Sequence, residues 1–205
     1  MRIIESNNFS FEEFKGLVEK YEREDWREIN FRNRVILLVL EKIFINDNNI
    51  AIVDVSSQYK NRESSVHTRK YYANDSTPDL LVVKNWNYNN HYVKEGDYLA
   101  VVEIKSPILA PINNDNKHTA KEIQDYISNG QKVILTDCYK WIFYGFEEEP
   151  KTFTLRDTKG WIMSEEENPK FIVKELSFQK RRQVSKVWED LIGYIELKFS
   201  TSQFD

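Results

Sequence analysis

The chain alternates between stretches whose apolar residues recur every three or four positions and short runs that are apolar throughout. Ser10 stands three residues before Glu13, the spacing of a capping box, and Phe11, Phe14, Leu17, Val18 and Tyr21 follow at helical intervals. This pattern predicts a helix over residues 10–23. Asp25 to Phe44 reads as a longer second helix, with Ile29, Val35, Ile36, Val39, Leu40 and Ile43 on its buried side. Asn46 to Asn49 form a turn cluster, and Ile50 to Val55 read as a first strand. Residues 56–76 are polar and read as a loop or irregular hairpin. Asp79 to Val83 and Tyr98 to Ile104 are strand-length apolar runs, joined through the aromatic, asparagine-rich stretch from Asn85 to Tyr92.

Beyond Pro107 and Pro111, Lys117 to Asn129 predicts a helix that Gly130 ends. Lys132 to Thr136 and Lys140 to Phe146 read as strands connected tightly at Asp137-Cys138, and Thr152 to Leu155 and Phe171 to Val173 as short edge strands. Ser177 to Phe199 predicts a last helix with Val184, Trp188, Leu191 and Ile195 as its stripe. Helices, strands, a helix, more strands and a final helix make an α/β arrangement, a mixed β-sheet flanked by helices. A chain of 205 residues has material for one sizeable core, so one domain spanning 1–205 is expected. Its centre is expected at about 28–144, with helices 10–23 and 177–199 as additions.

Composition narrows the class. Forty per cent apolar and 14% aromatic residues exclude a disordered polyelectrolyte. No apolar stretch is long enough for a membrane span, and the amino terminus lacks a basic region followed by an apolar core, so a cytoplasmic protein is expected. Cys138, the only cysteine, excludes an intramolecular disulfide and a cysteine-based zinc site. His67, His91 and His118 lack metal-ligand spacing, no glycine-rich phosphate loop is present, and no serine sits in a nucleophile-elbow context. The net charge of -4 argues against a general nucleic-acid coating protein but leaves room for a local basic surface. Lys180, Arg181, Arg182 and Lys186 form one such cluster; Lys60, Arg62, Arg69 and Lys70, with His67 among them, form another. The commoner meaning of either is a solvated face.

The chemistry concentrates where two strands end. Asp79 opens one apolar run, and Glu103 and Lys105 close the other; alternate residues of a strand share a face, so the last two project together. Asp79 and Glu103 are suited to share a divalent ion, Mg2+ with Mn2+ able to substitute, and the carbonyl of Ile104 can add a ligand. Lys105 would face a nucleophilic water, either as a neutral amine that takes its proton or as a cation that orients hydroxide. This is the minimum set for metal-assisted phosphodiester hydrolysis.

Pro78-Asp79 followed, 24 positions after the aspartate, by Glu103-Ile104-Lys105 resembles the signature of the PD-(D/E)XK nuclease superfamily, which includes many restriction endonucleases. The resemblance covers about residues 28 to 144 and implies a restriction-endonuclease-like core with Asp79, Glu103 and Lys105 as catalytic residues. Members commonly add an acidic residue from a helix ahead of the sheet. Glu28, one turn before Arg32, is similar to the glutamate-to-arginine spacing of type I restriction subunits, with Glu24 and Glu41 as competitors. Some branches carry glutamine and tyrosine four apart on the following helix; here Glu122 and Tyr126 hold that spacing, with glutamate for glutamine. The run from Glu103 through Lys121, Tyr126 and Gly130 also resembles the Uma2 branch. The expected function is a Mg2+-dependent deoxyribonuclease with DNA as partner, acting as a homodimer or in a larger assembly. The alternatives are a non-catalytic DNA- or protein-binding regulatory protein on the same fold, or a subunit of a restriction or repair assembly.

Overall fold

The computed structural model describes residues 9–55, 77–86, 98–112, 116–165 and 183–199. Its centre is a six-stranded sheet in the order β1 (Ile50–Asp54), β2 (Leu80–Lys84), β3 (Tyr98–Ile104), β4 (Val133–Thr136), β5 (Lys140–Tyr144), β6 (Lys151–Thr154). Neighbours run antiparallel except β3 and β4, which are parallel and joined through helix α4 (Lys117–Ser128). The burial of each strand explains its place. β2 and β4 are apolar on both faces and lie inside the sheet, whereas β1 is half-buried throughout and β6 exposes Lys151 and Thr152 at the edges. The architecture is therefore α/β, a mixed sheet flanked by helices.

Each face has its own apolar cluster. Leu80, Val82, Val102, Ile104, Ile134 and Phe143 point to the face covered by α1 (Phe11–Glu24), α3 (Leu37–Ile43) and α5 (Lys186–Phe199). Leu81, Val83, Val101, Val133 and Leu135 meet Ile123 and Tyr126 of α4 on the other. Helices α1 and α5 share the larger cluster with the sheet, and Phe14 stacks on Trp188 at 4.5 Å. They thus contribute to the same hydrophobic core as the sheet.

Helix ends follow the sequence. Ser10 and Glu13 form the capping box, with Glu13 N donating to Ser10 Oγ at 3.2 Å and Ser10 N to Glu13 Oε2 at 2.8 Å. Asn116 caps α4, and Gly130, at φ 74, ends it. Cys138, at φ 71, makes the tight turn between β4 and β5.

Two expectations are corrected. The long second helix is α2 (Glu28–Phe31), a π-helical turn over Arg32–Ile36, and α3. A π turn holds one residue more than an α turn, so positions on either side of it fall out of phase by roughly 100°. Ile29, seven residues before Ile36, is therefore swung off the buried stripe and lies 48% exposed, while Phe31 is buried instead. At the other end, Val184 is not helical: Gln183–Val184 pairs with Ser164–Glu165 as a short ladder. Ser185 then caps α5, its Oγ accepting from Trp188 N at 3.3 Å. The loop at 56–76, the aromatic stretch from 87 to 92 and the strand at 171–173 lie outside the described residues.

The backbone makes opposite demands at two exposed glycines. Gly16 sits inside α1 with open space around it, whereas Gly130 sits at positive φ. Gly16→Ala is expected to stabilise the protein by about 0.5–1 kcal/mol, and Gly130→Ala to destabilise it by about 1–2 kcal/mol. Urea unfolding of both variants measures the signs, and the same sign for both would contradict the helix ends given above.

Candidate active site

Register brings the two acidic strand ends together. Leu80 pairs with Val102, and Asp79 N donates to Val102 O at 3.1 Å, so Asp79 lies beside Glu103. Beyond this point β2 has no further residue to receive Ile104 N. The Asp79 side chain takes over, its Oδ2 accepting from Ile104 N at 2.8 Å. The N–H and C=O of one strand residue point the same way, so the Ile104 carbonyl faces the Asp79 side too.

The carboxylates are held by cations. Lys105 Nζ donates to Glu103 Oε1 at 2.6 Å and to Glu122 Oε2 at 3.0 Å. Tyr126 Oη donates to the other Glu103 oxygen at 3.3 Å. Arg32 Nη1 donates to Asp79 Oδ1 at 3.2 Å, and Arg32 Nη2 stands 3.6 Å from Asp54 Oδ2. Glu28 lies within electrostatic reach of Asp79, Lys105 and Arg32. Ser106 joins the two layers: its buried Oγ donates to Trp26 O at 2.8 Å, just ahead of α2, and accepts from Ile108 N and Leu109 N.

Burial governs the proton affinities. It raises the Glu103 carboxyl to about 8, helped by the Asp79 charge and opposed by Lys105. Asp79 is raised by burial against the pull of Ile104 N–H and Arg32, and Glu28 by burial and then by Asp79. For Lys105, burial acts downward, but Glu103 and Glu122 outweigh it and hold the ammonium above its ordinary value. Lys105 is therefore a charged donor here rather than a free base. Burial and the same carboxylates raise the Tyr126 hydroxyl, which stays protonated.

Asp79, Glu103, Lys105, Glu122 and Tyr126 thus form one network with Glu28 at its border, while Glu24 and Glu41 are exposed. Arg32, noted only as the companion of Glu28, is a member in its own right. Asp54 and Ser106 were not anticipated; Asp54 as the last residue of β1, opposite Leu80, was the one signal for the former. Lys186 is exposed at the start of α5, and Lys180, Arg181 and Arg182 lie outside the described residues, as does the cluster from Lys60 to Lys70. Cys138 is fully buried, with its thiol raised by burial, and Asp137 accepts from Ile112, Tyr139 and Lys140 amides, so this pair shapes a turn.

The donor set suits a hard divalent cation in kind. It is all oxygen, and the carboxylates Glu28, Asp54, Asp79, Glu103 and Glu122 outnumber the cationic side chains Arg32 and Lys105. Among the described residues, no three His, Cys, Asp or Glu side chains are gathered to hold a metal as they stand. Here the oxygens are turned onto Arg32 and Lys105.

A raised Glu103 makes a signed prediction about stability. The folded state favours its protonated form, so its contribution is full below about 4.5 and is lost as pH rises toward 8. In chelator, the melting temperature is expected to fall between pH 5 and 8, and Glu103→Gln to flatten that slope. Thermal melts across the range test this, and an unchanged slope in the variant would count against the buried site.

No family model matches the chain, and comparison with curated proteins and with solved structures likewise finds no match.

Proposed function

We propose that the chain is a metal-dependent nuclease with a restriction-endonuclease-like core, hydrolysing phosphodiester bonds in DNA. The observation that carries this is the meeting of Asp79, Glu103 and Lys105 at adjacent strand ends, with Glu28 approaching from the helix on the opposite layer. Asp79, Glu103, the Ile104 carbonyl and Glu28 would hold Mg2+, or Mn2+ in its place. The ion would supply Lewis-acid stabilisation of the charge that develops on phosphate. Lys105, kept charged by two carboxylates, donates to the attacking water or a phosphate oxygen. Tyr126 and Glu122 fix the rotamers of Glu103 and Lys105. Ser106 fixes the approach of α2 and hence of Glu28.

One observation favours a second reading. Both oxygens of Asp79 and both of Glu103 already carry a donor, so the network is satisfied without metal. A non-catalytic DNA- or protein-binding protein on the same scaffold, alone or within a restriction or repair assembly, is consistent with that.

Asp79→Ala would strand the Ile104 amide and loosen Arg32, so conservative variants are the informative ones. Asp79→Asn and Glu103→Gln are expected to reduce Mg2+-dependent cleavage of DNA by about 100-fold or more, and Lys105→Ala by about 100- to 10,000-fold with Mn2+ affinity nearly kept. Single-turnover cleavage beside calorimetric Mn2+ titration separates these effects. Wild-type cleavage rates in the variants would remove the site from consideration.

DNA contact is assigned to the basic residues Lys180, Arg181, Arg182 and Lys186. Replacing the first three together should lower the slope of log affinity against log salt by about one unit per lost phosphate contact. Fluorescence anisotropy on duplex and single-stranded DNA without metal measures it, with Arg62, Arg69 and Lys70 replaced in parallel. An unchanged slope in both sets would mark them as solvated faces. Failure of the wild type to bind at any salt would favour the non-catalytic, protein-binding reading.

A further inference from the structure

We infer that Arg32 is a built-in counter-cation of the site, occupying Asp79 in the metal-free protein and yielding it to a divalent ion by moving fully onto Asp54. This rests on the metal-site reading above and names a role that the signature residues do not include. Arg32 is nearly buried and reaches Asp79 Oδ1 at 3.2 Å with one terminal nitrogen, while the other stands 3.6 Å from Asp54 Oδ2. The second contact is an ion pair longer than a hydrogen bond, so the guanidinium bridges both carboxylates and is held more closely on Asp79. A planar fork with two terminal nitrogens between two carboxylates can tighten on one as it leaves the other.

The backbone supports the placement. Arg32 is the first residue of the π-helical turn Arg32–Ile36, a segment whose extra residue departs from the regular helix on either side. Such turns are rare inside α-helices and recur at functional sites. Here the turn sets Arg32 against the strand ends while Phe31, Val35 and Ile36 remain buried. A third contact, Arg32 Nε to Asn33 Oδ1 at 3.0 Å, steadies the guanidinium plane through the exchange.

The charge balance gives the exchange its direction. Without a cation, Asp79 and Glu103 would face each other in a buried place; Arg32 answers one and Lys105 the other. A divalent ion shared by both carboxylates supplies the charge Arg32 had supplied at Asp79. The arginine then has in Asp54 a carboxylate already within reach, and it is not left unpaired.

The test is calorimetric titration of the metal-free full chain with Mn2+ alone, so no cleavage enters the readout. Arg32→Met keeps the apolar stem and removes the competing charge; it should bind Mn2+ on the order of tenfold more tightly than wild type. Arg32→Lys lacks the fork and should tighten binding by less, and it carries the test if Arg32→Met does not fold by circular dichroism. Asp54→Asn should weaken Mn2+ binding, and this effect should disappear in the Arg32→Met background, because Asp54 acts through the arginine. If the wild type binds Mn2+ and loss of the guanidinium leaves affinity unchanged or weaker, the inference is overturned and the metal site stands. If Asp54→Asn weakens binding equally in both backgrounds, Asp54 is not where the arginine goes. If neither wild type nor any variant binds Mn2+, the metal-site reading fails and takes this inference with it.

Discussion

The carboxylate of Asp79 takes the hydrogen bond that one more residue of β2 would have taken from Ile104. Much of the site depends on this substitution of side chain for backbone. It ends the ladder without leaving a buried N–H unpaired, and it places an acidic group at the sheet end beside Glu103. A buried carboxylate beside a second one requires compensation, which arrives from both layers. Lys105 follows on the same strand, Tyr126 and Glu122 come from α4, and Arg32 comes from the helix on the other face.

Joining two layers at one strand end requires the helices to be held at a set depth. On the α4 side, Ile123 and Tyr126 pack among Val101, Val133 and Leu135, so the tyrosine is both core residue and hydrogen-bond donor. On the other side Phe31 of α2 and Val35 and Ile36 of the π turn are buried, and the turn still presents Arg32 to the strand end. Ser106 closes the arrangement by tying Trp26, ahead of α2, to the residue after Lys105. A change in helix depth would therefore be felt as a change in the spacing of charges.

Much of the fold was legible because its signals are local. The runs at Leu80–Lys84 and Val133–Thr136 are apolar on both faces, which only an interior strand allows, and the capping box at Ser10 announces α1. That Glu103 and Lys105 project together was legible from strand alternation, whereas Glu28 was expected only through the resemblance that its one-turn spacing to Arg32 carries. What escaped depends on longer-range geometry. The π turn has no residue signature, so Ile29 was assigned to a face it does not occupy. Asp54 meets Arg32 only through the pairing of β1 with β2. Val184 continued an apolar stripe, and only the pairing of its strand and the Ser185 cap separate it from the helix.

The glutamate at position 122 has a physical consequence in this setting. A glutamine would offer Lys105 one neutral acceptor. Glu122 offers a charge at 3.0 Å, and together with Glu103 it outweighs the effect of burial on the ammonium. The substitution therefore works against deprotonation of Lys105 and in favour of a fixed positive donor. It also adds negative charge around Glu103, which contributes to that residue's raised proton affinity. The carboxylates so arranged favour a charged Lys105, whereas a divalent cation between Asp79 and Glu103 would repel the ammonium and oppose that preference. Tyr126, donating to Glu103 from within the core, restrains that carboxylate from turning away from Lys105.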